Sequence, residues 1–151
     1  MPGGVRRLTS EVIDPAARVR HAGAMTDTTI IADTVLAAWN EPDPRRRAEL
    51  VARVWAPDGR LVDPPADAQG HAAISGLHAA LQEQFAGHRF RRASGVDAHH
   101  DGLRYAWELV APDGTVALAG LDVGELDAAG RLRRITGFFG ELPDAEAQRP
   151  G

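Results

Sequence analysis

Two aspartates in the sequence lie where a carboxyl group could transfer a proton. Asp122 lies in the middle of a strand-like segment, 116–126, in which apolar residues occupy both alternating faces. Because burying an unpaired charge is costly, a carboxyl in such a strand tends to be paired, protonated or functional. The alternative is a carboxylate on the solvated face of a half-exposed sheet, and the strand pattern leaves both interpretations open. Asp63 ends a short strand-like segment, 61–63, that two prolines cut off.

The second half of the chain predicts the sheet that carries Asp122. Four strand-like segments follow one another, at 89–99, 103–111, 115–126 and 131–139. The second, third and fourth segments are each preceded by a turn that contains glycine together with aspartate, a combination typical of tight turns. This order predicts an antiparallel meander. Since both faces of the strand around Asp122 are apolar, we expect it to be covered on both sides.

Apolar residues at helical spacing predict two helices near the start of the chain. The first has Asp27 or Thr28 as its cap. The second begins with Asp43 as cap and Pro44 as its first residue. Three arginines, 45–47, follow that proline, and we interpret them as a solvated face.

A third helix is predicted over residues 71–85. His78 falls on its apolar stripe, where a histidine at the edge of the core is a more common finding than a catalytic one. Before this helix, the segment 56–59 has the composition of a turn.

Composition limits the classes of function. The chain has 151 residues, which favours one domain, and a net charge of −4, which makes nucleic acid an unexpected partner. It contains no cysteine, which excludes disulfides and zinc–cysteine sites and fits a cytoplasmic location. It contains no lysine, which excludes a Schiff-base lysine, and no apolar run long enough to cross a membrane.

The order of the elements predicts an α+β fold. Three N-terminal helices would pack on a strongly bent, mostly antiparallel sheet and form a cone with an internal pocket. We assign residues 25–142 to this single domain, residues 1–24 to an N-terminal extension outside the fold, and residues 143–151 to a C-terminal tail.

Three segments carry a resemblance to known proteins: WAPDGRLVDP at 55–64, GHAAI at 70–74 and GRLRRITGFF at 130–139. With the order of elements, they resemble the nuclear transport factor 2-like superfamily and, within it, the SnoaL-like polyketide cyclases and the ketosteroid isomerases. The resemblance covers residues 27–141. It implies a small-molecule pocket and carboxylate acid–base chemistry without a metal or another cofactor.

The resemblance to ketosteroid isomerases also implies roles. It puts Asp63 at the position of the general base and Asp122 at that of a protonated carboxyl that donates a hydrogen bond to the developing oxyanion. The third group of that family, a tyrosine of the first helix, falls near Val35, while the only tyrosine here, Tyr105, is on a strand. An oxyanion donor is typically worth roughly 3 to 4 kcal/mol in the barrier, so its absence argues against efficient steroid isomerisation.

We therefore predict a cofactor-independent enzyme of the isomerase or cyclase type that acts on a hydrophobic carbonyl compound and forms a homodimer. One alternative is a non-catalytic ligand-binding or dimerisation module. Another is an epoxide hydrolase of the limonene type, in which Arg104 would join Asp122. The predicted catalytic residues are Asp63 and Asp122. The side chains predicted to bind the substrate are Trp39, Trp55, Leu77, His78, Leu81, Trp107, Leu118 and Phe138.

Overall fold

The computed structural model describes residues 22–148 and the side chains of residues 28–146. Its helices are α1 (Ala22–Asn40), α2 (Pro44–Val54) and α3 (His71–Gln84), and a short 3-10 helix follows the last strand (Ala145–Gln148). Its strands are β1 (Trp55–Asp63), β2 (Ala66–Gln69), β3 (Arg89–Arg92), β4 (Asp97–His99), β5 (Gly102–Val110), β6 (Val116–Leu126) and β7 (Leu132–Phe139).

The strands form one curved sheet in the order β2-β1-β7-β6-β5-β3, and β4 pairs with β5 as well. All pairs are antiparallel except β1 with β7, which run parallel. The predicted α+β class, with three helices and a mostly antiparallel curved sheet, is confirmed. The parallel pair has a consequence for the site, because it brings the first strand of the chain beside the last one.

The helices cover one face of the sheet, and the alternation of burial along β6 shows which one. Asp122 and Gly124 are buried, whereas Val123 and Glu125 between and beside them are exposed. Within the single chain, therefore, only the face that carries Asp122 is covered. The expectation of cover on both faces is not met by the residues that the structure describes.

The helix starts agree with the sequence signals in one case and not in another. Asp43 caps α2 as predicted: its Oδ1 accepts a hydrogen bond of 3.0 Å from the backbone N–H of Arg45. The predicted cap of α1 was wrong, because α1 begins at Ala22 and already contains Asp27 and Thr28. Of the five residues before Asp27, Ala22, Ala24 and Met25 are strong helix formers.

The interpretation of residues 45–47 as a solvated face was wrong for Arg47. Its side chain is 5% exposed and donates hydrogen bonds to the backbone carbonyls of Glu41 (3.0 Å) and Pro42 (3.2 Å) and to the Gln82 side chain (3.2 Å). The guanidinium thus fastens the α1–α2 connection to α3. Arg47 differs from Arg45 and Arg46 only in its contacts with neighbouring elements, and a run of three arginines in the sequence does not indicate which of them makes such contacts.

The predicted turn at 56–59 was also wrong, because these residues belong to β1. Gly59 is required for packing instead. A Cβ at that position would lie 2.6 Å from Cε3 of Trp55, so only glycine leaves room for the indole. Beyond Asp63, the chain returns as the short edge strand β2, whose four residues follow two prolines and were not predicted as a strand.

Two further segments differ from the expectation or lie beyond it. The predicted strand 89–99 is divided into β3 and β4, because the chain leaves the edge of β5 between them. Residues 1–21 of the predicted extension lie outside the described residues, whereas residues 22–24 belong to α1. Among the described helices, none has the length and apolarity needed to cross a lipid bilayer.

Candidate active site

Four neighbouring strands place Asp63, Gly137, Asp122 and Tyr105 in one row across the inner face of the sheet. In β7 and β6, Gly137 is the direct partner of Asp122, and in β6 and β5 Asp122 is the partner of Tyr105. The parallel register of Val62 with Thr136 puts the next pair, Asp63 and Gly137, side by side. The row is therefore a product of strand order and register.

Gly137 allows the two carboxyl groups to approach each other. A Cβ at this position would lie 3.1 Å from Cβ of Asp63 and 3.2 Å from Oδ1 of Asp122. Both distances are tighter than ordinary van der Waals contact, so the two aspartate side chains occupy the space on either side of the glycine. A residue with a side chain at this point would separate them.

Asp122 is buried, and both of its oxygens accept hydrogen bonds. Trp107 Nε1 donates to Oδ1 and the Tyr105 hydroxyl donates to Oδ2, each at 3.0 Å. The pKa of Asp122 is raised to about 6: burial is the main cause, the two hydrogen bonds act in the opposite direction, and the charge of Asp63 adds to the rise. The carboxyl therefore changes its protonation state close to neutral pH.

Asp63 is half-buried and has a different environment. Its Oδ1 is buried without a hydrogen-bond partner among the described residues. Burial raises the pKa of Asp63, and a hydrogen bond from the backbone N–H of Ala66 counteracts this in part. Asp63 thus lines the cavity and has one buried oxygen that the described residues leave unpaired.

A cavity between helices α1 and α3 and the sheet contains both carboxyl groups. Its empty volume is about 460 Å³, which includes the part that opens to solvent. Four aromatic rings form a continuous wall, with centroid distances of 5.4 Å for Trp39–Phe90, 5.4 Å for Phe90–Trp107 and 5.6 Å for Trp107–Phe139. Such a lining suits a mostly apolar ligand with a few polar contacts. The aliphatic lining residues are Leu36, Leu61, Leu81, Leu118 and Ile135.

The structure brings half of the predicted substrate-binding side chains to this cavity. Those that line it are Trp39, Leu81, Trp107 and Leu118. Those that lie elsewhere are Trp55, Leu77, His78 and Phe138. Phe138 is 54% exposed, because successive residues of a strand point to opposite faces and its neighbour Phe139 takes the inner one.

The other three lie in the core behind the cavity. Trp55 packs over Gly59, and Leu77 is half-buried on α3 against the core. His78 is 1% exposed and contacts Trp39, with ring centroids 4.1 Å apart. Burial lowers the pKa of His78 to about 3, and the charge of Arg47 contributes in the same direction. The imidazole is therefore neutral at physiological pH.

The sequence places Tyr105 on a strand and predicts Trp107 as a residue of the pocket wall. It predicts neither as a partner of Asp122, and it does not single out Gly137 between the carboxyls. Tyr105 and Trp107 are two residues apart on β5, so the sequence indicates that both side chains lie on the same face of the sheet. Gly120, two residues before Asp122, makes room for an aromatic ring, since a Cβ there would collide with the Trp107 indole.

Arg104 does not reach Asp122. It lies on the opposite face of β5, where its Nε donates to Oδ2 of Asp97 at 2.9 Å and its side chain is exposed. The arrangement needed for the limonene type of hydrolase therefore lacks its arginine at this carboxyl. Among the described residues, no group of three His, Cys, Asp or Glu side chains could hold a metal ion.

Comparison with solved structures decides the family. A SnoaL-like family protein of Agrobacterium tumefaciens strain C58, named as an isomerase, superposes with a TM-score of 0.74 at 39% sequence identity. The match covers 77% of this chain and 99% of that one. The chain belongs to the SnoaL-like family. No protein-family model and no curated protein sequence matches it.

More distant structures share the fold of this SnoaL-like chain. A SnoaL-like polyketide cyclase of Jannaschia sp. CCS1 has a TM-score of 0.56 and 17% identity, covering 74% of this chain and 85% of that one. A Catenulispora acidiphila protein with a ketosteroid isomerase-like fold, in complex with trimethylamine, has a TM-score of 0.59 and 16% identity, covering 73% and 85%. At these identities the likeness concerns the fold alone.

Proposed function

We propose that this SnoaL-like protein is an enzyme that moves protons on a hydrophobic carbonyl compound, with Asp63 and Asp122 as the two groups that exchange protons with it. The observation that supports this most is that both carboxyls border one apolar cavity on either side of Gly137. An isomerase or cyclase reaction of this kind needs one group that removes a proton and another that supplies one. A relative of the same family is named as an isomerase.

The electrostatics of the cavity fit such chemistry. A group that exchanges a proton in catalysis works best when its pKa lies near the working pH, and the pKa of Asp122 is raised to about 6, mainly by burial. The apolar and aromatic walls limit the water around the carboxyls, which strengthens each electrostatic interaction with a bound ligand. Proton transfer between two carboxyls and a carbonyl compound requires no further reactive group.

A two-stage experiment tests the proposal. First, apolar ketones and enones are screened by thermal shift, since a ligand at 100 times its dissociation constant adds about 2.7 kcal/mol of stability. Second, deuterium incorporation next to the carbonyl of each binder is followed by NMR in heavy water. We expect Asp63→Asn and Asp122→Asn each to slow this exchange by roughly 10² or more, because each removes one of the proton-transferring groups.

Asp101→Asn is the matched control, because Asp101 is exposed in the turn before β5. Circular dichroism of all three variants checks that the fold is intact. Exchange at the wild-type rate in Asp63→Asn and Asp122→Asn would overturn the proposal and favour the alternative, a module that binds ligands without chemistry. Trimethylamine is included in the screen, because a protein of the same fold binds it. Its binding, with no carbonyl compound exchanged, would also favour that alternative.

A further inference from the structure

The cavity that contains Asp63 and Asp122 carries negative charge without a positive charge beside it. Among the described residues that line it, these two carboxyls are the titratable side chains, and none is an arginine or a histidine. The charge of Asp63 contributes to the raised pKa of Asp122, so Asp63 is ionised before Asp122 loses its proton. Above the pKa of Asp122, which is about 6, both carboxyls are therefore charged.

Hydrogen bonds within the protein compensate these two charges only in part. Trp107 and Tyr105 each donate to Asp122 at 3.0 Å, and the backbone N–H of Ala66 donates to Asp63. The Oδ1 atom of Asp63 is buried without a partner among the described residues. All three donors are neutral, and the pKa of both carboxyls stays raised in their presence. A buried carboxylate of this kind is stabilised when a cation joins it.

Arginines on two strands that border the cavity are engaged outside it. On β1, Arg60 binds Asp67 at 2.6 Å, and on β3, Arg92 binds Asp33 at 2.8 Å. On α3, the buried His78 is neutral at physiological pH, since its pKa is lowered to about 3. Among the described residues, none of the causes that shift the pKa of either carboxyl is a positive charge. The negative charge of the cavity is thus left for a ligand to neutralise.

The rest of the lining suits a cation that carries alkyl groups. Trp39, Phe90, Trp107 and Phe139 line the cavity, and the face of an aromatic ring attracts a positive charge. The aliphatic side chains of the lining can pack against the alkyl groups of such an ion. A small inorganic cation would have to lose most of its water among these apolar side chains, whereas an alkylammonium ion is only weakly hydrated. The lining therefore favours an organic cation.

We infer that the cavity takes a ligand with an alkylammonium group, bound between the carboxylates of Asp63 and Asp122 and the aromatic rings. This inference goes beyond the proposed function, because it concerns the charge of the ligand and not a reaction. A second step rests on the proposed function: the two together narrow the substrate to a carbonyl compound that also bears an ammonium group.

The test compares two probes that have the same shape and different charge. Choline contains a trimethylammonium group, and 3,3-dimethylbutan-1-ol has a neutral tert-butyl group in its place. The binding of each probe to the full chain is measured by NMR titration at pH 7.5 and low ionic strength. We expect choline to bind at least about tenfold more tightly, because only the cation is attracted by the two carboxylates. Equal or weaker binding of choline, or no saturable binding of it, would overturn the inference.

Charge variants show whether the cavity itself attracts the cation. Asp63→Asn should weaken choline binding by about tenfold or more and leave the binding of the neutral alcohol nearly unchanged. Asp122→Asn should have a similar effect, and it carries the test if Asp63→Asn does not fold. Asp101→Asn is the matched control, because it removes the same charge from an exposed turn. Equal losses in Asp63→Asn and Asp101→Asn would contradict the inference, since the net charge of the chain would then attract choline.

Variants of the aromatic lining test the contribution of the rings. Phe139→Leu should weaken choline binding by roughly threefold, and more than it weakens binding of the neutral alcohol. Phe90→Leu carries this test if Phe139→Leu does not fold. Phe138→Leu is the matched control, because Phe138 is the neighbouring residue on the outer face of the sheet. Equal effects of Phe138→Leu and Phe139→Leu would contradict the role of the rings.

The pKa of Asp122 supplies a second readout that locates the bound charge. It is followed by NMR of the chain with ¹³C-labelled aspartate side chains, and the signal that disappears in Asp122→Asn assigns it. Saturation with choline should lower the pKa of Asp122 below about 6, because a cation favours the ionised carboxyl. The neutral alcohol should not lower it, because it only displaces water. A pKa of Asp122 that rises on choline binding would contradict the proposed position of the cation.

These measurements need no substrate, so their outcome is separate from that of the proposed function. Tight choline binding without deuterium exchange on any carbonyl compound would leave this inference standing and the proposed function refuted. Exchange on neutral ketones by a protein that does not bind choline would have the opposite meaning.

Discussion

Replacement of His78 by leucine should change how the stability of this protein depends on pH. The imidazole is 1% exposed, and neither of its nitrogens has a hydrogen-bond partner among the described residues. Leucine is apolar and of similar size, so it can occupy the space beside Trp39 without the two unpaired nitrogens. At neutral pH we expect His78→Leu to be as stable as the wild type or more so, because an unsatisfied buried polar group costs about 1 to 3 kcal/mol.

The size of the pH effect follows from the pKa of His78, which burial lowers from 6.5 to about 3. Between these values the unfolded chain binds a proton that the folded chain does not, so the folding free energy weakens as pH falls. At pH 5 the loss is about 2 kcal/mol, from 1.5 pH units at about 1.36 kcal/mol each. The loss continues to grow down to the folded-state pKa. His78→Leu lacks this loss.

The wild-type curve alone would not show this effect. The pKa of Asp122 is raised from 3.8 to about 6 in the folded state. Between these two pKa values, this carboxyl makes the folded state less stable as pH rises. That contribution has the opposite sign to the contribution of His78 in the same pH range. The informative quantity is therefore the difference in free energy of unfolding between His78→Leu and the wild type, measured at each pH.

Urea unfolding followed by tryptophan fluorescence gives this difference, since the chain has 3 tryptophans. His100→Asn is the control, because His100 is an exposed histidine with φ of 52°, a conformation that asparagine tolerates. The expected result is a difference that grows by about 2 kcal/mol between pH 7.5 and pH 5 in His78→Leu only. Parallel curves for His78→Leu and the wild type would refute the reasoning, because His78 would then bind its proton equally in both states.

Three further predictions concern the surface, the N-terminal segment and the helix connection. Leu121 and Phe138 are paired on the outer face of the sheet, where Phe138 is 54% exposed, so we expect a homodimer through this face. Sedimentation should show dimers of the wild type at tens of micromolar and monomers of Phe138→Asp. A monomeric wild type at this concentration would contradict the prediction. Deletion of residues 1–24 should change the melting temperature by less than about 5 °C; a larger drop in a thermal melt would mean that this segment packs on the domain. Arg47→Ala should cost roughly 1 to 3 kcal/mol in urea unfolding, because it removes a buried guanidinium and its three hydrogen bonds between the α1–α2 connection and α3, and a loss no larger than that of the exposed Arg45→Ala would contradict this.

Local patterns in the sequence were sufficient for much of the framework. The helix α2 begins at the predicted cap, α3 lies within the predicted range, and β5 to β7 lie within one residue of the predicted segments. These features depend on neighbouring residues: a capping side chain, an apolar period and a glycine in a turn. Asp122 was singled out for the same reason, because a carboxyl in an apolar strand conflicts with its surroundings.

Only the tertiary structure decided which residues share the site. Asp63 and Asp122 are 59 positions apart in the chain, and they come together because β1 pairs in parallel with β7 and Gly137 leaves the space between them. The hydrogen bonds of Tyr105 and Trp107 to Asp122 depend on the register of β5 with β6. The inner position of Phe139 depends on which face of β7 the helices cover. Strand order, register and cover are long-range properties, set by how the whole core packs, and no window of neighbouring residues contains them.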